Sequence, residues 1–361
     1  MKKVIESGLA VTEKDYKALN LTTDIKLRED GIRTTGGPGT YEWWYFDTHL
    51  EDGSIMVIVF YTKPMFDVAG KLSPYANVTI DRPDGTHIEK DLYPQKDDFK
   101  FSDEKCDVII GKNYFRGDLK KYQIHLEDDD LTVDVELTGT VPSWRPKTGY
   151  IYFGDNNEDY FAWLPSVPQG NVVTKIVQKN KEETIELTGI GYHDHNWGNQ
   201  SMMSLMHHWY WGRCQIGEYT VISSYITAEK KYGYQEFPIF MIAKNGEILA
   251  DNAPEYLNYT ESNLQTDPTT GKPFYQTLTF DYNDPENHYK ITYQQENTIL
   301  QYKMIDGLSK PQKLAAKLAE FDGAYLRFSG ASKLERIEDN QVVETVNSPA
   351  VWELMYFGKN I

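Results

Sequence analysis

Tyr41-Glu42-Trp43-Trp44-Tyr45-Phe46-Asp47 carries five aromatic side chains in seven positions. If the stretch is extended, Glu42, Trp44 and Phe46 point to one face, while Tyr41, Trp43, Tyr45 and Asp47 point to the other. Both faces carry large rings, so both need cover. In the wall of a barrel one face lines the lumen, and the other requires a second layer. The parity therefore predicts a barrel strand with another domain packed against it. Glu42 is the residue that core filling does not explain, because an ionisable group among rings is costly to bury unless it is paired or used.

Working outward, the dominant period is two. Leu131-Thr132-Val133-Asp134-Val135-Glu136-Leu137 alternates apolar and polar, as a strand with one wet face does. Ile55 to Tyr61 is almost wholly apolar, the pattern of a strand covered on both faces. Glu51-Asp52-Gly53, Pro83-Asp84-Gly85, Asn245-Gly246 and Glu338-Asp339-Asn340 punctuate these runs with the residues tight hairpins use, so the connectivity is antiparallel. One helix stands out, at about 311–321, where Pro311 suits the first turn, Leu314, Leu318 and Phe321 share a face, and Gly323 can end it. A weaker helical pattern covers 13–19.

Strands at this spacing over 361 residues are too many for one barrel of about eight. The expected fold is all-β, two lipocalin-like antiparallel β-barrels packed together with the one late helix. Residues 1–198 are assigned to the N-terminal barrel and 199–361 to the C-terminal one, with Gly198-Asn199-Gln200-Ser201 as the local break. Trp352-Glu353-Leu354-Met355-Tyr356-Phe357-Gly358 echoes the opening stretch and fits a duplicated unit.

A net charge of −17 argues against nucleic acid and anionic membrane surfaces as partners. Glu6 interrupts the apolar run a signal peptide needs, and no stretch reaches the ~18 apolar residues of a spanning helix. A cytoplasmic chain without membrane insertion is expected. Cys106 and Cys214 are too few and too far apart for a disulfide framework. Aromatic residues make up 14 % of the chain, a composition suited to strands and to an apolar binding pocket. Neither a nucleophile elbow, a phosphate loop nor a dinucleotide fingerprint appears, so no cofactor is expected.

Two further segments concentrate ionisable groups among rings. In Tyr192-His193-Asp194-His195-Asn196-Trp197-Gly198, extended geometry sets His193, His195 and Trp197 on one face and Tyr192, Asp194 and Asn196 on the other. In His207-His208-Trp209-Tyr210-Trp211-Gly212-Arg213, His207, Trp209, Trp211 and Arg213 share a face. Imidazoles are zinc ligands, which raises His193 and His195 with His207 or His208 as a metal set. Since no Cys or Glu-x-x-His companion accompanies them, and Asn and Trp flank them, hydrogen bonding is the reading preferred, with no metal.

Glu42 to Asp47, Tyr192 to Gly198 and Trp209 to Arg213, with the looser Trp163-Leu164-Pro165-Ser166-Val167-Pro168-Gln169-Gly170, resemble the carotenoid 1,2-hydratase (hydroxyneurosporene synthase) and AttH-like superfamily. The resemblance implies two lipocalin-like domains and a hydrophobic small-molecule substrate. Hydratases of that group protonate an alkene and hold the cation until water adds, which takes a carboxylic acid kept neutral and aromatic faces. His195 and Trp197 match its His-x-Trp element. The family's acid, in a Tyr-x-Asp on a following strand, is missing here, where Tyr219 to Thr227 contains no carboxylate.

The candidate acids are then Asp194 and Glu42, with His195 as the third catalytic candidate. Trp43, Trp44, Tyr45, Tyr192, Trp197, Trp209, Trp211 and Arg213 are the candidate substrate-binding residues. The function read from this is an enzyme that cyclises, isomerises or hydrates an apolar, isoprenoid or polyketide-like molecule. A non-catalytic lipocalin-like carrier or sensor is the alternative.

Overall fold

The computed structural model describes every residue except 1–3, 66, 252, 308–312 and 314–320. The helix expected at 311–321 falls almost entirely outside the described residues. The helix expected at 13–19 is present as Glu13–Ala18, capped by Thr12, whose hydroxyl accepts from the Asp15 N–H while the Asp15 carboxylate accepts from the Thr12 N–H. Nearly all other regular structure is antiparallel strand.

The chain divides into two compact units. One comprises residues 10–152 and 159–201, the other residues 1–9, 153–158 and 202–361. In the first, the sheet runs in the order His87–Leu92, Tyr75–Asp81, Ile55–Tyr61, Tyr41–Leu50, Glu183–Gly198, Asp159–Gln178, Leu131–Gly139, Lys121–Glu127, Asn113–Gly117, Asp107–Ile110, Phe99–Phe101. It curls into a half-barrel, since residues far apart in that order meet inside it. Trp44 stacks on Phe101 at 5.9 Å, and Phe60 meets Phe115 edge-on at 5.7 Å.

The quoted aromatic strand sits mid-sheet, between Ile55–Tyr61 and Glu183–Gly198. Its register against the latter pairs Glu42 with Trp197, Trp44 with His195, Phe46 with His193, and Tyr45 with Asp194. Cross-strand partners share a face. The parity inferred from the sequence therefore becomes two chemically distinct surfaces. Trp44 and Phe46 face the lumen, in a core with Ile58, Phe60, Val78, Ile124 and Val135. Trp43 and Tyr45 stand on the outer face, half-buried. Gly198 lies opposite Tyr41, where an added Cβ would come within 2.4 Å of the tyrosine hydroxyl, so a side chain there would displace the ring.

The second unit's sheet runs Glu247–Asp251, Glu236–Lys244, Tyr219–Ala228, Met206–Ile216, Gln341–Tyr356, Ala324–Glu338, His288–Lys303, Pro273–Asn283, Leu257–Thr266. Leu257–Thr266 returns to touch Glu236–Lys244, so this sheet also curls around an apolar core, here of Tyr210, Phe240, Phe280, Tyr293, Phe328 and Trp352. The C-terminal echo motif, Trp352 to Tyr356, pairs with the His208 to Gly212 strand.

Candidate functional site

The lumen side of the Tyr41–Leu50 and Glu183–Gly198 pair holds a sealed ionic network. A segment without strand period, residues 25–34, enters the barrel and includes the short 3₁₀ turn Leu27–Asp30. Its acidic pair is buried there. Glu29 accepts from Arg145 Nε at 2.8 Å, and the two side chains are 4 % and 3 % exposed. Asp30 Oδ2 accepts from the Tyr122 hydroxyl at 2.5 Å and lies 3.2 Å from His193 Nε2. His193 Nδ1 is 2.8 Å from the Tyr45 carbonyl, which can only accept, so the proton on that nitrogen is fixed by the backbone. The Trp44 indole donates to the Asp30 carbonyl at 2.9 Å.

Glu42 completes the network as an acceptor for four donors. They are the Arg33 N–H at 2.6 Å, the Thr34 N–H at 2.8 Å, the Thr34 hydroxyl at 2.7 Å and His195 Nε2 at 2.8 Å. A carboxylate with this many donors is satisfied without solvent. Burial alone would push the Asp30 carboxyl up, but the charges of His193 and His195 and the bonds from His193 and Tyr122 outweigh it and hold Asp30 below the usual carboxylate range. His193 and His195 are completely buried, and Trp44 is stacked on His195 at 4.6 Å. A substrate has no room among these groups.

The opposite face has different chemistry. Asp194 Oδ2 accepts from the Tyr192 hydroxyl at 2.7 Å and from Trp163 Nε1 at 2.8 Å, and Oδ1 accepts from Asn196 Nδ2 at 2.7 Å. Asp194 therefore accepts from three side chains. Burial raises its pKa to about 6, against the opposing pull of Tyr192, Trp163, His193 and Asn196. Around it stand Tyr45, whose ring meets Tyr192 edge-on at 6.3 Å, the half-buried Trp43, and Trp163 against Trp144 at 5.8 Å. A carboxyl of pKa near 6 set among rings matches the requirement for a general acid at neutral pH.

The three candidate catalytic residues thus divide, with Glu42 and His195 in the lumen and Asp194 outside. Among the candidate binding residues, Trp44 is in the lumen core and Trp197 packs with Ala162 and Leu164, its indole bonded to the Tyr150 hydroxyl at 3.0 Å. Trp43, Tyr45 and Tyr192 are on the Asp194 face. Trp209, Trp211 and Arg213 belong to the second unit's sheet, half-buried.

Sequence reasoning passed over Glu29, Asp30, Tyr122 and Arg145. The only signal was an acidic pair before Gly31 in a stretch without strand period.

Asp30, Cys106 and His193 bring a carboxylate oxygen, a sulfur and an imidazole nitrogen within 4.8 Å of one another. These donor types suit zinc. Yet burial, with Asp30 next to it, pushes the Cys106 thiol well up, away from the thiolate a metal needs, and Tyr122 already occupies Asp30 Oδ2. Among the described residues, the cluster of possible metal ligands includes neither His207 nor His208. His207 Nδ1 is 2.8 Å from His208 Nδ1, and His207 Nε2 donates to the Lys359 carbonyl at 2.6 Å, all within the second unit.

In that unit, a recess of about 10 Å³ beside Tyr210, Ser223, Tyr293 and Trp352 falls far short of the ~300–1,000 Å³ usual for small-molecule sites.

A protein-family profile described as Diels-Alderase-like matches residues 29–302, more than half of the chain and spanning both aromatic-ionic faces of the first unit. The chain belongs to the Diels-Alderase-like family. Among relatives of this Diels-Alderase-like chain, hydroxyneurosporene dehydrogenase of Chlorobaculum tepidum is 26 % identical over 246 residues, 58 % of this chain and 64 % of that protein. The quinolone epoxide rearrangement protein asqO of Emericella nidulans is 35 % identical over 54 residues, 15 % of each chain. The matched stretches thus span less than two thirds of these relatives. The crystal structure of an AttH protein from Nitrosomonas europaea shares the fold, with a TM-score of 0.58 at 15 % identity, covering 94 % of this chain and 98 % of that one. The half-barrels of this Diels-Alderase-like protein are accordingly of the lipocalin-like, AttH kind. Among the described residues, no helix is long and apolar enough to cross a membrane.

Proposed function

We propose that this chain is an enzyme that starts a cyclisation, isomerisation or hydration of an apolar, isoprenoid or polyketide-like molecule by proton transfer from Asp194. The observation that carries the reading is the Asp194 carboxyl, near pKa 6, held by Tyr192, Trp163 and Asn196 on a face bearing Trp43 and Tyr45. By their names, one relative is a hydroxyneurosporene dehydrogenase and another a quinolone epoxide rearrangement protein, and the family is described as Diels-Alderase-like. A cationic cyclisation, an isomerisation and a hydration can each begin with protonation of the substrate.

Asp194 gives its proton to an alkene carbon or to a ring or carbonyl oxygen of the substrate. The three donors then stabilise the carboxylate left behind. The faces of Trp43 and Tyr45 stabilise positive charge developing on the carbon skeleton. The cation closes a ring, loses a proton from a neighbouring carbon or takes up water, and in each case a proton returns to Asp194. Glu42 and His195 act at one remove, by fixing the strand that carries Asp194.

The test is to incubate the purified protein with an apolar extract of its own host and follow the products by mass spectrometry. Asp194→Asn is expected to lower turnover by at least about 100-fold, the usual worth of a general acid. Equal conversion by wild type and Asp194→Asn would overturn the assignment. Recovery of every bound molecule unchanged with wild type would favour the carrier reading.

A further inference from the structure

Glu29 and Arg145 form a dry ion pair that the proton transfer from Asp194 does not use. Burying two charges adds little net stability, because desolvation offsets most of their attraction, and an apolar pair of similar volume often does as well. The pair is better explained by what it holds in place. Besides donating from Nε to Glu29 at 2.8 Å, Arg145 donates from Nη2 to the Thr22 carbonyl at 2.5 Å and from Nη1 to the Lys147 carbonyl, two residues along its own chain. Its guanidinium lies over the Tyr16 ring, 5.6 Å from the centroid. Glu29 is held in turn, since its Oε1 accepts from the Lys26 N–H at 2.8 Å. All three nitrogens of the guanidinium thus fix residues 144–149, a stretch outside helix and strand.

Both ends of that stretch meet Trp163, a donor to Asp194. At one end Trp144 packs edge-on against the Trp163 ring, at 5.8 Å and 87°. At the other, the Gly149 carbonyl accepts from the Trp163 N–H at 2.9 Å, after a turn closed by the Gly149 N–H on the Pro146 carbonyl. Gly149 has φ +82°, and a Cβ there would lie 2.7 Å from the Trp163 carbonyl oxygen, so only glycine lets turn and strand come this close. The indole so held donates to Asp194 Oδ2 at 2.8 Å and helps draw that carboxyl down against burial. A site side chain keeps such a geometry only while packing and hydrogen bonds behind it fix its position.

We propose that Arg145, anchored by Glu29, is a positioning residue for the acid: it braces residues 144–149, which hold the Trp163 indole on Asp194. The inference rests on the reading of Asp194 as the acid, and it is tested on the titration of Asp194, which does not depend on turnover.

Carbon-13 NMR of the aspartate carboxyls follows that titration, the Asp194 signal being the one lost in Asp194→Asn. Trp163→Phe removes a donor to the carboxylate and should raise the midpoint by about one unit. Glu29→Gln weakens the brace and leaves the groups around Asp194 in place: Trp163, Tyr192, His193 and Asn196, with Tyr45 opposite Asp194 and Asp47 opposite Tyr192. It should also raise the midpoint, by up to about one unit. The direction separates positioning from a plain field effect, since deleting the Glu29 charge would by itself favour the Asp194 carboxylate and lower the midpoint. Added to Trp163→Phe, Glu29→Gln should give no further rise. If Glu29→Gln does not fold, Trp144→Phe, which keeps the ion pair and thins the packing on Trp163, carries the same expectations. A midpoint that stays or falls, or a rise that persists without the Trp163 indole, would overturn the positioning role and leave Asp194 as the proposed acid. Turnover of Asp194→Asn decides that reading separately.

Discussion

Two faces of one strand, Glu183–Gly198, hold similar residues to opposite ends. On the lumen face, His193 and His195 meet Asp30 and Glu42, and the carboxylate of Asp30 is held below its ordinary range. On the outer face, the hydrogen bonds to Asp194 come from an indole, a phenol and an amide, and its carboxyl rises to about 6. Burial is almost the same, at 1 % exposure for Asp30 and 7 % for Asp194. Partners, not burial, decide which carboxyl stays charged. At Asp30 the imidazoles keep the carboxylate ionised against burial, while at Asp194 burial prevails over the weaker pull of its donors.

The largest effect expected from breaking this contrast is on stability. Asp30→Asn leaves His193, His195 and Tyr122 facing an amide inside a dry lumen, and loss of one partner from such a buried ionic group costs about 3–5 kcal/mol. Urea unfolding should show that loss, while turnover per folded molecule stays within a few-fold of wild type. A folded Asp30→Asn protein that had lost turnover as fully as Asp194→Asn would erase the division between the faces.

The division was half legible in the sequence. Strand parity alone separates His193 and His195 from Asp194, and Trp44 from Tyr45, because a period of two admits no other arrangement. Which face would be dry was not legible. That depends on residues 25–34 filling the lumen, and a segment without strand or helix period offers no pattern from which to place it. Tyr122 lies in a strand that reads as ordinary core and Cys106 in the bend before Asp107–Ile110, so their approach to Asp30 depends on a curl that local sequence does not encode. The candidate acid at 194 was reachable, but its donor Trp163, on a neighbouring strand with two register shifts just beyond it, was not.

A smaller effect, on the order of 2–3 kcal/mol, follows from the opposite pH linkages of the two carboxyls. Asp194 rises from 3.8 unfolded to about 6 folded, so between those values the folded state holds more protons. Stability from this group is greatest at low pH and is lost as pH rises through about 6. Asp30 runs the other way, because its folded pKa is depressed, so its contribution is present above 3.8 and is lost as pH falls below that value. Unfolding free energies of wild type minus Asp194→Asn should therefore fall between pH 4 and pH 7. A flat difference across that range would mean that Asp194 ionises as freely folded as unfolded, and the contrast would fail.

The finest test concerns a single donor. Tyr192→Phe removes one hydrogen bond to Asp194 Oδ2 and leaves those from Trp163 and Asn196. Since Tyr192 stabilises the charged form, its loss should raise the Asp194 pKa further, by about one unit for one charge-assisted bond. An acid must be protonated to act, so the alkaline limb of the turnover profile should move up, from about pH 6 toward 7, with little change in melting temperature. The intrinsic strength of the acid falls at the same time, so the plateau below that limb should drop modestly. A limb that stayed in place would assign the titration to another group. A limb that moved downward would reverse the role given to Tyr192, from stabilising the carboxylate to stabilising the acid.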